Sequence, residues 1–428
     1  MRLRRALVVF AVLMAHAGVI IWLAEATGSG TGDSSDSSEL SPAVANFPDA
    51  RDEPPAGWTG PVFRLSQDYP ATLPALGDPP WLKLDFRTQA VDYLKAVLGY
   101  ALDGNMAVDF QGQDNPIRKW YHAPWLHANP RSGREFIHGL TRERDSRPGE
   151  LAPTQTQPAE NWAVSMYNPR GGYVLGQVWK NRDSPDPTQA RFPDGTVAFK
   201  LIFTTATVDQ VPFLKGTLEW HADIDRAKDA GPRPTVRLLQ IDVAVRDSRA
   251  DATTGWVFGT FIYDGNAQGA TVWDRMVPVG DMWGNDPEQL TTNGPLAETV
   301  INPDARPLVQ HLGYQGRLNG PIDNAASSCL SCHSTAQIPS DLSERTVSPL
   351  PPSGASPAVL AQYFRNVEAG TPFTDGEMSL DYSLQLQNGI ANWAQATGVR
   401  FPAPADEFGP VRRRLRVSRT VRVTPIGR

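Results

Sequence analysis

Between Trp162 and Met282 the chain breaks into short apolar runs, each bounded by turn-forming residues. The clearest, Val236-Arg237-Leu238-Leu239-Gln240-Ile241-Asp242-Val243, alternates apolar and polar positions with the period of a half-buried strand. Comparable runs predict strands over 162–167, 172–179, 196–204, 216–222, 235–245, 256–263 and 271–282. Asn168-Pro169-Arg170-Gly171 and Asp264-Gly265 supply turns. Strands at this spacing predict an antiparallel, sandwich-like or barrel-like domain.

Helical periodicity appears on either side of that region. From Phe86 to Leu102 the residues Val91, Leu94, Val97, Leu98 and Ala101 recur on one face, with Thr88 as a cap and Gly104 as a stop. Further on, Ser356 and Pro357 open a helix to about Val367 with Leu360, Tyr363 and Phe364 as its buried stripe. A terminal helix over about 380–396 carries Tyr382, Leu386, Ile390 and Trp393. The fold class expected is therefore α+β and multidomain, a β-rich antiparallel sandwich-like domain followed by a small all-α one.

The N-terminal pattern has neither period. Arg2, Arg4 and Arg5 precede an apolar run from Ala6 to Leu23 that ends in Ala24-Glu25-Ala26, which describes a signal peptide over residues 1–26. An uncleaved membrane anchor is the alternative, since a run of this length is just able to span a thin bilayer. Either reading exports the body of the protein. Residues 27–56, rich in Ser, Gly, Asp, Pro and Ala, read as a flexible tether.

Composition narrows the class. The 428 residues carry a formal net charge of −6, which argues against nucleic acid as a general partner. The 38 prolines and 36 glycines point to a loop-rich globular chain. The basic tail, residues 406–428, holds Arg412, Arg413, Arg414, Arg416, Arg419, Arg422 and Arg428; a solvated edge is the plainer reading, contact with an acidic partner or anionic lipid the other.

Only two cysteines occur, and both fall in Cys329-Leu330-Ser331-Cys332-His333. Two thiols three positions apart share one side of a helical turn, and C-x-x-C-H is a covalent haem attachment signature. Zinc needs four ligands and no third cysteine is available. A redox dithiol expects a thioredoxin-like βαβ context that the pattern lacks. The stretch resembles the haem motif of c-type cytochromes, and residues 320–405 resemble a class I cytochrome c domain.

The resemblance implies thioethers from Cys329 and Cys332 to one haem c, with its iron ligated by His333. It further implies a sixth ligand just ahead of the terminal helix, where Met378 stands, with His311, another upstream residue or an open position as alternatives. It implies an exported, periplasmic monohaem protein, soluble or tethered, that passes single electrons between redox partner proteins. Haem attachment of this kind is completed outside the bacterial cytoplasmic membrane, in agreement with the N-terminal reading. The preceding residues 57–319 form the β-rich domain, whose role the resemblance does not cover.

A haem-dependent oxidoreductase or peroxidase, or a haem-based ligand sensor, is the alternative. Its substrate pocket would be the cluster of Trp120, Tyr121, His122, Trp125, His127, Arg131, Arg134, His138, Arg142 and Arg144. The plainer reading is an ordered loop. Tyr314 and Arg317 are candidates for covering the haem or pairing with its propionates. Asp223, Asp225 and Asp242 read as turn or edge residues, and His221 as a surface strand residue.

Overall fold

The alternating run at 235–246 becomes the centre of one large antiparallel sheet. The computed structural model describes residues 47–129, 133–225, 232–292, 294–339 and 347–398. Its elements begin with helix α1 (Ala90–Leu102), strands β1 (Thr141–Arg142) and β2 (Asn161–Tyr167), helix α2 (Pro169–Val178) and strand β3 (Val197–Thr204). Strands β4 (Glu219–His221), β5 (Thr235–Arg246), β6 (Trp256–Tyr263) and β7 (Met276–Met282), helix α3 (Gln289–Thr292) and strand β8 (Thr299–Ile301) follow. The C-terminal part holds helix α4 (Cys329–His333), strand β9 (Gln337–Ile338), helix α5 (Pro357–Tyr363), strand β10 (Met378–Ser379) and helix α6 (Leu384–Thr397).

The sheet runs β1-β2-β3-β5-β6-β7-β8, with β4 pairing the start of β5. A sandwich was expected from the strand spacing, but the strands form a single sheet whose two faces are covered by other segments. Register assigns the faces. Phe199, Val243, Gly259 and Asp281 lie in one cross-strand row. Against this face packs α1, whose Tyr93, Leu94 and Val97 are buried, each contributing about 2 kcal/mol through apolar area removed from water. Trp120 stands edge-on to Phe199 at 4.6 Å on the same side.

The adjacent row, Lys200, Asp242 and Thr260, faces the other way, toward the C-terminal segment. Two alternate residues of β6 on that face bind it: Trp256 donates its indole N–H to Asp381 at 3.0 Å and Phe258 packs against His333, while the next in the row, Thr260, donates to Asp242 within the sheet. From β2, Tyr167 donates to Ser383 at 2.9 Å, while Gln385 of α6 donates to Ser165. One apolar core runs from Phe47 to Ala394 and includes residues on both sides of position 320.

Several expectations change. The run at 172–179 is not a strand: Asn168, in extended conformation, accepts from the Gly171 N–H at 3.1 Å, and Pro169 fits the first helical turn, so α2 starts there. Helix α1 begins at Ala90 rather than Phe86, and Thr88 is not its cap. The C-terminal segment is not purely helical, because β9 and β10 pair as a ribbon between α4 and α6. Residues 47–56, expected to be tether, pack: Phe47 meets Trp179, and Asp49 pairs with Arg134 at 2.6 Å. The segments 1–26 and 406–428 lie outside the described residues. Among the described residues no helix is long and apolar enough to cross a membrane.

Candidate functional site

Helix α4 is five residues long, too short to persist without support. Its start is held by a capping box: the Ser328 hydroxyl accepts from the Ser331 N–H at 3.0 Å, and the Ser331 hydroxyl accepts from the Ser328 N–H at 2.8 Å. Ser328 in turn donates to the Asn285 side-chain oxygen at 2.8 Å. Neither Cys329 nor Cys332 is in a disulfide; both are half-buried, one turn apart as the motif predicts. Ser328→Ala is expected to lower stability by about 1 kcal/mol through loss of the cap, read as a fall in the urea midpoint; an unchanged midpoint would contradict this role of the box.

His333, half-buried, has its Nδ1 3.0 Å from the Tyr382 carbonyl oxygen. A carbonyl only accepts, so Nδ1 carries the hydrogen and Nε2 keeps its lone pair. Phe258 holds the ring from one side with centroids 4.8 Å apart. Burial lowers the His333 pKa to about 4, and the imidazole is neutral at neutral pH. Tyr382 and Asp381 both have positive φ, 67° and 48°, a conformation costly for residues with a Cβ. This pair aims the Tyr382 carbonyl at His333 while the Asp381 carboxylate takes the Trp256 and Phe192 N–H groups.

Below the thiols the sheet contributes a polar group around Asp242, which the sequence reads as a turn or edge residue but which stands inside β5, paired with β3 on one side and β6 on the other. Gln240 Nε2 donates to both Asp242 oxygens, at 2.9 and 3.0 Å, and lies 3.5 Å from an oxygen of Asp323. The Gln240 carbonyl accepts from the Ile322 N–H at 3.2 Å. Gly320 makes this approach possible, since a Cβ there would sit 2.0 Å from Gln240 Nε2. Burial, then the charge of Asp323, pushes the Asp242 pKa up to about 7, against the opposing effect of Lys200. Burial and the two carboxylates likewise raise the Cys329 thiol well above its ordinary value. The available signal was Gln240-Ile241-Asp242, two polar residues on one face in the middle of an apolar strand.

The other candidates scatter. Met378 is half-buried opposite Ile338 in the ribbon, lining a hollow of about 220 Å³ with Pro187, Ala190, Arg191 and Gly370; none of Cys329, Cys332 and His333 lines it. Arg317 is fully buried and donates to the carbonyls of Asn285 and Asp286, both at 2.7 Å, so it supports α4 from behind and is not available to a propionate. Tyr314 stacks on Phe364 at 4.8 Å.

The cluster expected to form a pocket around Trp120 is largely packing. Trp120, His122, Arg134 and His138 are buried, with His138 stacked on Trp220 at 4.2 Å. His122 Nδ1 accepts from the Ser66 N–H, and burial lowers its pKa to about 3. Arg131 lies outside the described residues. His221 is exposed, as expected of a surface strand residue.

Two uncrosslinked thiols on one turn, beside a neutral histidine whose second nitrogen is already anchored, fit a thioether-attached, histidine-ligated haem. Among the described residues no group of three or more His, Cys, Asp or Glu side chains gathers to hold a bare ion. No protein-family model matches the chain, and no curated protein and no solved structure shows significant similarity to it.

Proposed function

We propose that this chain is an exported monohaem c-type cytochrome that transfers single electrons between redox partner proteins. Cys329 and Cys332 carry the haem through thioethers, and His333 ligates its iron. The observation that supports the reading best is the 3.0 Å hydrogen bond from His333 Nδ1–H to the Tyr382 carbonyl. It fixes the tautomer and orients the ring as the outer partner of a ligating histidine does. When bound, the haem supplies an iron that alternates between ferrous and ferric states.

The chain's own residues do the rest. Phe258 and Tyr382 hold His333 from two sides, the capping box and Asn285 set the thiols on a common turn, and the sheet shields one edge of the site. The position of the sixth ligand stays open in this reading, since Met378, which the cytochrome c resemblance implies, lies in a hollow that none of Cys329, Cys332 and His333 lines. In this reading residues 320–405 are the haem-bearing module, and the N-terminal segment directs export.

The test is to produce the full chain with its leader in a bacterium that matures c-type cytochromes, then stain a denaturing gel for haem. Wild type is expected to retain haem after denaturation, and the Cys329→Ala/Cys332→Ala double variant to retain none. Equal staining of the two, or none in either, contradicts the proposal.

A further inference from the structure

The sixth ligand of the iron can be argued from which side of His333 each candidate occupies, granted the haem reading above. Tyr382 stands against Nδ1, so the iron belongs to Nε2 on the far side of the ring. The ribbon that carries Met378 leads into Tyr382: Met378 faces Ile338, and the Leu380 N–H donates to the Ala336 carbonyl at 3.0 Å. Met378 thus belongs to the backing of the histidine, with its side chain turned into the hollow beside Pro187 and Arg191.

A different histidine, His311, stands just before the segment that packs on the loop entering α4. The loop before α4 is tied to Arg144, whose guanidinium donates to the Asp323 carbonyl at 3.0 Å and pairs with Glu150. The Glu150 carboxylate lies 3.7 Å from His311 Nε2, just beyond hydrogen-bond reach. Two residues after His311, Gly313 is pressed onto the backbone of Ser327, where a Cβ would lie 2.4 Å from the carbonyl oxygen. The next N–H, of Tyr314, donates to that same carbonyl at 2.8 Å. The chain at His311 is therefore pinned alongside the entry to the thiol helix.

His311 itself is unsatisfied. Both ring nitrogens are shut off from solvent, and neither has a hydrogen-bond partner among the described residues. An imidazole whose two nitrogens are buried and idle carries a desolvation cost that no described residue offsets. A metal ligand on one nitrogen and the Glu150 carboxylate on the other would satisfy both, the arrangement usual for ligating histidines.

We propose that His311, in place of Met378, completes the axial pair of the iron, giving a haem with two histidine ligands. Glu150 is then the positioning residue that receives the remaining N–H of His311. Replacing a thioether by an imidazole lowers the reduction potential, so the protein would serve a more reducing donor than a His/Met cytochrome does.

The test uses purified full-length holoprotein and reads absorption and electron paramagnetic resonance spectra, with carbon monoxide added to the reduced form. Wild type is expected to be low-spin in both states, to lack the ferric charge-transfer band of a sulfur–iron bond, and to ignore carbon monoxide. His311→Ala should keep its covalent haem, turn high-spin, bind carbon monoxide, and return to low-spin on addition of imidazole. Met378→Ala should leave all spectra unchanged.

A sulfur–iron band in wild type, or an iron opened by Met378→Ala and not by His311→Ala, overturns the assignment. The wild-type band decides the question even if His311→Ala folds poorly. Covalent haem that is present with the wrong axial spectrum sinks this inference alone, whereas absence of covalent haem from wild type sinks the haem reading as well.

Discussion

Arg317→Leu is expected to destabilise the chain by about 1–3 kcal/mol, the cost of leaving a buried acceptor without its charged donor. The guanidinium is fully buried among backbone acceptors, donating to Asn285 and Asp286 and, at 3.1 Å, to the Tyr314 carbonyl and the Gln315 side chain. It also lies 5.0 Å from the centroid of Phe364. Leucine has comparable apolar bulk and no donors, so the buried Asn285 carbonyl loses its partner at about 1–3 kcal/mol, while the Asp286 carbonyl keeps the Gln289 N–H and the Tyr314 carbonyl the backbone N–H of residue 317.

The damage should reach the thiols. Asn285 takes one of those donors on its carbonyl and holds Ser328 with its side chain. The expected results are a lower urea midpoint and faster labelling of Cys329 and Cys332 by a maleimide in the haem-free chain. Arg317→Lys should recover only part of the loss, since a single ammonium cannot span the fork. An unchanged midpoint in the leucine variant would show that the Asn285 carbonyl finds another donor.

Asp242→Asn is expected to stabilise the haem-free chain at pH 8 by about 2 kcal/mol and to have little effect near pH 4. The folded-state pKa of about 7 lies above the unfolded value of about 3.9. Between these limits the folded chain holds a proton that the unfolded chain has released. Stability therefore falls as pH rises through this window, by at most about 1.4 kcal/mol per unit, and the decline ends once the folded group ionises. Asparagine removes the titration, keeps an oxygen for Thr260 and Gln240, and offers an N–H to Asp323. Urea midpoints of both chains across the range check this; parallel pH profiles would show that Asp242 ionises without penalty.

What the sequence made legible follows the range of its signals. Local periodicity located β2, β3, β5 and β6 to within a residue or so, and Ser356-Pro357 marked α5, because each depends on its own residues. Asn168-Pro169 was ambiguous: the same pair opens a turn or caps a helix, and only the burial of Val174, Leu175 and Val178 shows which. The single sheet was not legible, since alternation tells that a face is buried and not what buries it. The thiols and His333 announced themselves by spacing. Gln240, Asp242, Thr260 and Asp323 did not, because strand register and a loop anchored through Gly320 bring them together from distant positions. Arg317 was noticed for the wrong role: its neighbours in sequence gave no hint that the carbonyls of Asn285 and Asp286 would enclose it.

The shortness of α4 sets a timetable for the nascent protein. Five residues cannot remain helical alone; of their supports, Asn285, Phe258 and the Gln240–Asp242 floor precede them in the chain, and Tyr382 follows. During synthesis the sheet strands emerge first, while Cys329 and Cys332 are still on an open segment. Once that segment docks, Cys329 is half-covered and its thiol is held in the unreactive protonated form. Any covalent chemistry at this cysteine is thus in a kinetic race with docking, and a modifying enzyme that arrives after the strands have paired meets a closed substrate. Variants that slow docking without unfolding the sheet should accumulate more modified chain.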